Sequence, residues 1–135
     1  MTVTEAIALV DALKPNQIER ERKIEWLSRL DQWIFDEVIT PREKDENTPD
    51  SFTPYGPEYI EGNLTPDPGT RELLIPSPYD ETYRFYLEMQ IDLANLEMDK
   101  CTNSMSLYQN ARGQFMRAYN RTHRRLDTNN LYYHF

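Results

Sequence analysis

The stretch SPYDETYRFYLEMQIDLANLEMD, residues 77–99, decides the reading of this chain. Ser77 suits an N-cap, and Pro78 suits the first helical position, where its missing N–H is no loss. Asp80 and Glu81 then favour the positive end of the helix dipole. From Tyr79 to Asp99 there is no Pro or Gly. Tyr83, Tyr86, Leu87, Met89, Ile91, Leu93, Ala94, Leu96 and Met98 cover most of the circumference. This predicts a central helix over 78–99, contacted from several sides. Glu81, Arg84, Glu88, Asp92, Asn95 and Asp99 form the remaining polar strip, read as solvated, with Arg84 spaced to pair with Glu81 and Glu88.

Outward from this helix, Thr102-Asn103-Ser104 predicts a tight turn with Asn103 or Ser104 as cap. A helix over 104–123 follows, with Leu107, Tyr108, Ala111, Phe115, Ala118 and Tyr119 on one face. Two long helices joined so closely pack antiparallel. Upstream, Ile24, Leu27, Leu30, Ile34 and Val38 make a single stripe, predicting a helix over 17–39. Trp26 and Trp33 lie together on its flank. They either broaden the core stripe or bury against another subunit, where Trp is enriched. Thr2 and Glu5 have capping-box spacing for a first helix over 3–13, which Pro15 ends.

Residues 40–77 differ in kind. Eight of the nine prolines and three of the four glycines fall in 40–78. Such a segment supports neither a long helix nor a central strand. It reads as an acidic arm with room for a short β-hairpin, carrying Phe52, Tyr55 and Tyr59 as sticky positions. Loops of this length are usually functional or mobile. The tail, 124–135, has no helical periodicity. Together these elements predict one all-α domain over 1–135: a small helical bundle on an antiparallel helix hairpin, with a Pro-rich arm and an extended C-terminal tail.

Composition narrows the function. The 135 residues hold 39% hydrophobic and 28% charged side chains, ordinary for a folded domain. Net charge is −8. Residues 1–100 carry 10 Lys/Arg against 22 Asp/Glu, whereas 101–135 carry five Arg and one Asp. The acidic body opposes bulk binding of nucleic acid, and the C-terminal arginines are the exception. The single Cys101 permits no intrachain disulfide, so an intracellular setting is expected. Residues 1–13 lack the basic region and apolar run of a signal peptide. No apolar run approaches the length needed to cross a bilayer.

A search for chemistry finds little. His123 and His134 are the only histidines, and with one cysteine no zinc spacing exists. His123 reads as a helix C-terminal residue and Cys101 as a buried or turn thiol. There is no Gly-rich phosphate loop. The acidic run 45–50 lacks the central Gly and terminal Glu of an EF-hand. No catalytic, cofactor-binding or metal-ligating residue is assigned, and the chain reads as a non-enzyme.

One resemblance stands out. Pro76-Ser77-Pro78-Tyr79-Asp80-Glu81, Tyr83, Tyr86-Leu87, Gln90-Ile91-Asp92, Asn95 and Glu97, followed by Asn103-Ser104-Met105, Phe115 and Tyr119-Asn120-Arg121-Thr122-His123, resemble the head-to-tail connector (adaptor, or head completion) proteins of tailed bacteriophages. Asp11-Ala12-Leu13-Lys14-Pro15-Asn16 is similar to the same group. The resemblance covers 76–123 well and 5–40 loosely; the long acidic arm and the tail beyond His123 depart from it. It implies a helical subunit forming a homo-oligomeric, dodecameric ring between the portal protein and a stopper or tail-completion protein. The ring extends the DNA channel of the virion after assembly in the host cytoplasm, with no membrane, cofactor or sequence-specific DNA contact. On this reading Arg121, Arg124, Arg125, Tyr132, Tyr133 and Phe135 dock into the portal, as basic side chains followed by aromatic anchors suit a partner cleft. Trp26, Trp33, Phe52, Tyr55 and Tyr59 make the inter-subunit contacts. The rival is a small nucleic-acid-binding or regulatory protein using the basic C-terminal segment.

Overall fold

A computed structural model of the chain describes residues 1–56 and 68–126. The fold is mostly helical, with four α-helices and no strand among the described residues. They are α1 (Val3–Leu13), α2 (Arg20–Ile34), α3 (Glu81–Ala94) and α4 (Met98–Thr122). The predicted β-hairpin of the arm has no counterpart among these residues, where only two isolated bridges occur, Thr2 with Glu72 and Arg42 with Arg125.

α1 forms as its sequence dictates. The Thr2 hydroxyl accepts the Glu5 N–H and the Glu5 carboxylate accepts the Thr2 N–H, both at 3.2 Å. Val3, Ala6, Ile7 and Val10 are buried. α2 begins three residues later than predicted. The Asn16 side-chain carbonyl accepts the Ile18 N–H at 3.0 Å, and its amide donates to Lys14 O at 2.9 Å. Such local side-chain bonds offer the backbone an alternative to helix. At its far end α2 widens into a π-helical turn, Phe35–Ile39, where the Thr40 N–H reaches back to Phe35 O at 2.8 Å. Ile24, Leu27, Leu30, Ile34 and Val38, the predicted stripe, are all buried.

The α3–α4 connection corrects the sequence reading. The break lies at Asn95–Glu97, and Thr102-Asn103-Ser104 sits inside α4. Leu96 N–H bonds Leu93 O at 3.1 Å and Glu97 N–H bonds Asp92 O at 2.9 Å, which is the Schellman pattern. The residue that turns the chain is Leu96, at φ 58°, a left-handed conformation usually given to Gly. No Gly or Pro marks the turn, so its position was hidden. The start of α3 is also corrected. The Tyr79 N–H closes a turn onto Pro76 O at 2.9 Å, and the Ser77–Pro78 peptide is cis. α3 begins at Glu81 with Asp80 at its N-cap, so Ser77 and Pro78 precede the helix instead of capping it.

α3 and α4 run in opposite directions. Tyr79 meets Phe115, Tyr86 meets Tyr108, and the Cys101 thiol reaches Met89 O, so residues rising along one helix meet residues falling along the other. α3 also packs against α1 and α2. The C-terminal part of the helix predicted over 78–99 is not enclosed as expected: Leu93, Leu96 and Met98 are 46%, 79% and 57% exposed. In α4, Tyr108, Phe115 and Tyr119 are buried as predicted, whereas Leu107 is exposed and Cys101 and Ser104 take the inward positions.

The described half of the arm nearest α3 belongs to the core. Leu73 and Ile75 are buried, the Val3 N–H donates to Arg71 O, and the Leu73 N–H donates to Met1 O. Apolar burial against α1 outweighs the weak local structure of this segment.

Candidate assembly surfaces

Two fully buried carboxylates, Asp31 and Asp92, organise the interior, and of these only Asp31 stands on a face where apolar neighbours predict burial. Asp31 follows Leu30 and lies three residues before Ile34. It is fully buried and accepts from Tyr83 Oη at 2.6 Å, Tyr55 Oη at 2.9 Å and the Leu74 N–H at 3.4 Å. The Tyr83 hydroxyl in turn accepts the Ile75 N–H at 2.7 Å. One side chain thus ties α2 to both described parts of the arm and to α3. Burial pushes the Asp31 carboxyl up to about 6, against the opposing pull of the tyrosine hydroxyls, the Leu74 amide and the Arg71 charge. Burial likewise raises both tyrosines well above the ordinary phenol range.

Asp92, read as solvated from its place on the polar strip, is also fully buried. It pairs with Lys14 and accepts the Ser104 hydroxyl at 2.9 Å. Glu88, read as solvated, is buried beside Arg84. A buried cation, Lys23, meets the half-exposed Asp11 at 2.6 Å. Among the described residues no group of three His, Cys, Asp or Glu could hold a metal ion. No described helix is long and apolar enough to cross a membrane.

Two surface regions carry residues that the sequence assigns to contacts. At the C-terminal end of α4, Arg117, Arg121, Arg124 and Arg125 are exposed. The chain is steered out of the helix there by a clasp from the start of the arm. The Arg42 guanidinium donates to Asn120 O at 3.2 Å and His123 O at 3.0 Å, satisfying helix-end carbonyls. The Glu43 N–H donates to Arg124 O and the Leu126 N–H to Pro41 O, at 2.7 and 2.8 Å. The His123 ring stacks on Tyr119 and its Nε2 lies 2.9 Å from Asp45. Arg42, at the arm's start, was not singled out in the sequence, because its target carbonyls come from the far end of the chain.

The second region is the outer side of α2. Trp33 is 37% exposed, with the Arg112 guanidinium 4.6 Å from its ring centroid. Trp26, assigned with it to subunit contacts, is instead buried in the chain's own core, which is broad enough to take it. Tyr55 is likewise a core residue, held by Asp31. Phe52 is partly buried against Phe35 and Tyr55, with Arg71 over its ring. Tyr59, Tyr132, Tyr133 and Phe135 lie outside the described residues.

No family model, curated protein or solved structure matches the chain.

Proposed function

We propose that this chain is a structural subunit of a tailed-bacteriophage virion, forming a ring between the portal and the stopper or tail-completion protein. The subunit is a small helical bundle built on the α3–α4 hairpin, and copies of it, dodecameric as the resemblance implies, extend the DNA channel. The observation that carries this reading is the run of connector-like positions over 76–123. The geometry is compatible with it: the basic C-terminal segment leaves the fold at one end of α4, clasped by Arg42. That end contacts the portal through Arg121, Arg124 and Arg125, with Tyr132, Tyr133 and Phe135 beyond them. Trp33 and Phe52, on the outer side of α2 and the arm, serve the neighbouring copies. The acidic remainder lines a channel that DNA passes without adhering. The subunit is made in the host cytoplasm, acts in the virion, and performs no catalysis.

Deleting 124–135 tests this reading. Attachment to portals is expected to stop while the helical circular dichroism is unchanged; undiminished attachment overturns the docking claim. Negative-stain images of the full chain should show rings with an open channel.

A second reading is favoured by one observation. Arg117, Arg121, Arg124 and Arg125 are all exposed near one end of α4, and such a cluster can neutralise backbone phosphates. Tight, steeply salt-dependent retardation of short duplex DNA would favour a nucleic-acid binder over a connector.

A further inference from the structure

A groove of about 260 Å³ runs between α2 and the arm, walled by Glu25, Ser28, Arg29 and Gln32 on one side and Pro54 and Tyr55 on the other. Small-molecule sites usually hold roughly 300–1,000 Å³, so this one is scaled to a protruding side chain. Its walls are firmly set. The Ser28 hydroxyl accepts the Tyr55 N–H at 3.2 Å, and the Tyr55 hydroxyl is held by Asp31. Exposed Trp33 follows Arg29 by one helical turn.

The same chain carries a matching projection. The α3–α4 turn presents Leu96, 79% exposed, with Leu93 and Met98 beside it. Two backbone hydrogen bonds hold the turn, so Leu96 projects from a defined base. A left-handed position that glycine fills with less strain here holds a bulky apolar side chain that its own fold leaves bare.

The two surfaces carry charges of opposite sign. Exposed Glu97 and Asp99 flank the projection, with Lys100 beside them. Exposed Arg29 and Glu25 flank the groove. Across a joint between copies, Glu97 and Asp99 are acids available to Arg29, and Lys100, which pairs with Glu97 at 3.3 Å within the chain, is a cation available to Glu25. Within one chain Leu96 is bare, so projection and groove do not meet there.

We propose that the Leu96 turn of one copy seats in the α2–arm groove of the next. The contact joins two different surfaces of identical chains, so a repeat that closes on itself gives a ring. The inference rests on the ring reading above and specifies the lateral joint.

Leu96→Cys combined with Gln32→Cys tests it in the full-length chain under mild oxidation. The double variant is expected to give a ladder of covalent oligomers on non-reducing gels. Each single variant should stop at dimer or below, since Cys101 is buried. Leu96→Asp should weaken self-association at least tenfold in sedimentation, with helical content unchanged. If the chain forms rings yet the double variant gives no ladder and Leu96→Asp sediments like the parent, the joint is wrong and the ring stands. If the parent is monomeric at every concentration tested, ring and joint fall together.

Discussion

Asp31 and Asp92 are both fully buried, yet their surroundings differ in kind. Asp92 meets a cation, Lys14, and one hydroxyl. Asp31 meets two phenols and a backbone amide, with no ion-pair partner among the described residues. A cation offsets the loss of water around a carboxylate; neutral donors do so only in part. The Asp92 site joins α3, α4 and the end of α1 as a charged fastener. The Asp31 site holds the arm to the helices, and burial without a paired cation raises its carboxyl to about 6.

The contrast is broken most severely by Asp31→Ala. It strips two buried hydroxyls and an amide of their acceptor, and each unsatisfied group costs about 1–3 kcal/mol. A loss of about 4 kcal/mol is expected in urea unfolding, and a change under 1 kcal/mol would show the hub to be incidental. The next effect is pH dependence. The folded carboxyl protonates at about 6, whereas its ordinary value is 3.8. Between those values the folded chain binds more protons than the unfolded one, so stability falls as pH rises. This contribution is complete below the lower value and lost through the upper one, on the order of 3 kcal/mol in all. Asp31→Asn should flatten that part of the curve, and an identical slope in the variant would assign the titration elsewhere.

Lys14→Met sharpens the comparison from the other side. It leaves Asp92 buried without its cation, for a loss of about 2 kcal/mol, moderated because Lys14 is 26% exposed. Adding Asp92→Leu should recover much of that loss; no recovery would mean the pair acts through something besides charge. The smallest effect belongs to the α3–α4 turn, which follows Asp92 directly. Leu96→Gly relieves the positive φ and should raise stability by about 1 kcal/mol in thermal unfolding, even as it removes the projecting side chain.

The capping box at Thr2 and Glu5, the stripe from Ile24 to Val38 and the inward Tyr108, Phe115 and Tyr119 are local patterns, and the structure carries them. The burial of Asp31 is foreshadowed locally, since it sits within an apolar stripe. The α3–α4 turn had none, because a leucine takes the position that glycine would have announced. Of the assigned interface residues, Trp33 is available on the surface, while Trp26 and Tyr55 are engaged inside the chain. Side-chain type marks an aromatic as adhesive without saying to what it adheres.

By itself the sequence determined that helices form, roughly where, and which stripe of each is apolar. These depend on contacts a few residues apart, set by helical periodicity. Only the tertiary structure decided that Lys14 reaches Asp92, that Tyr55, Leu74 and Tyr83 converge on Asp31, and that Arg42 closes the end of α4. Those partners lie 24 to 81 positions apart along the chain. A buried polar group is obliged to find a partner, but no local rule says which distant residue the packing will bring to it.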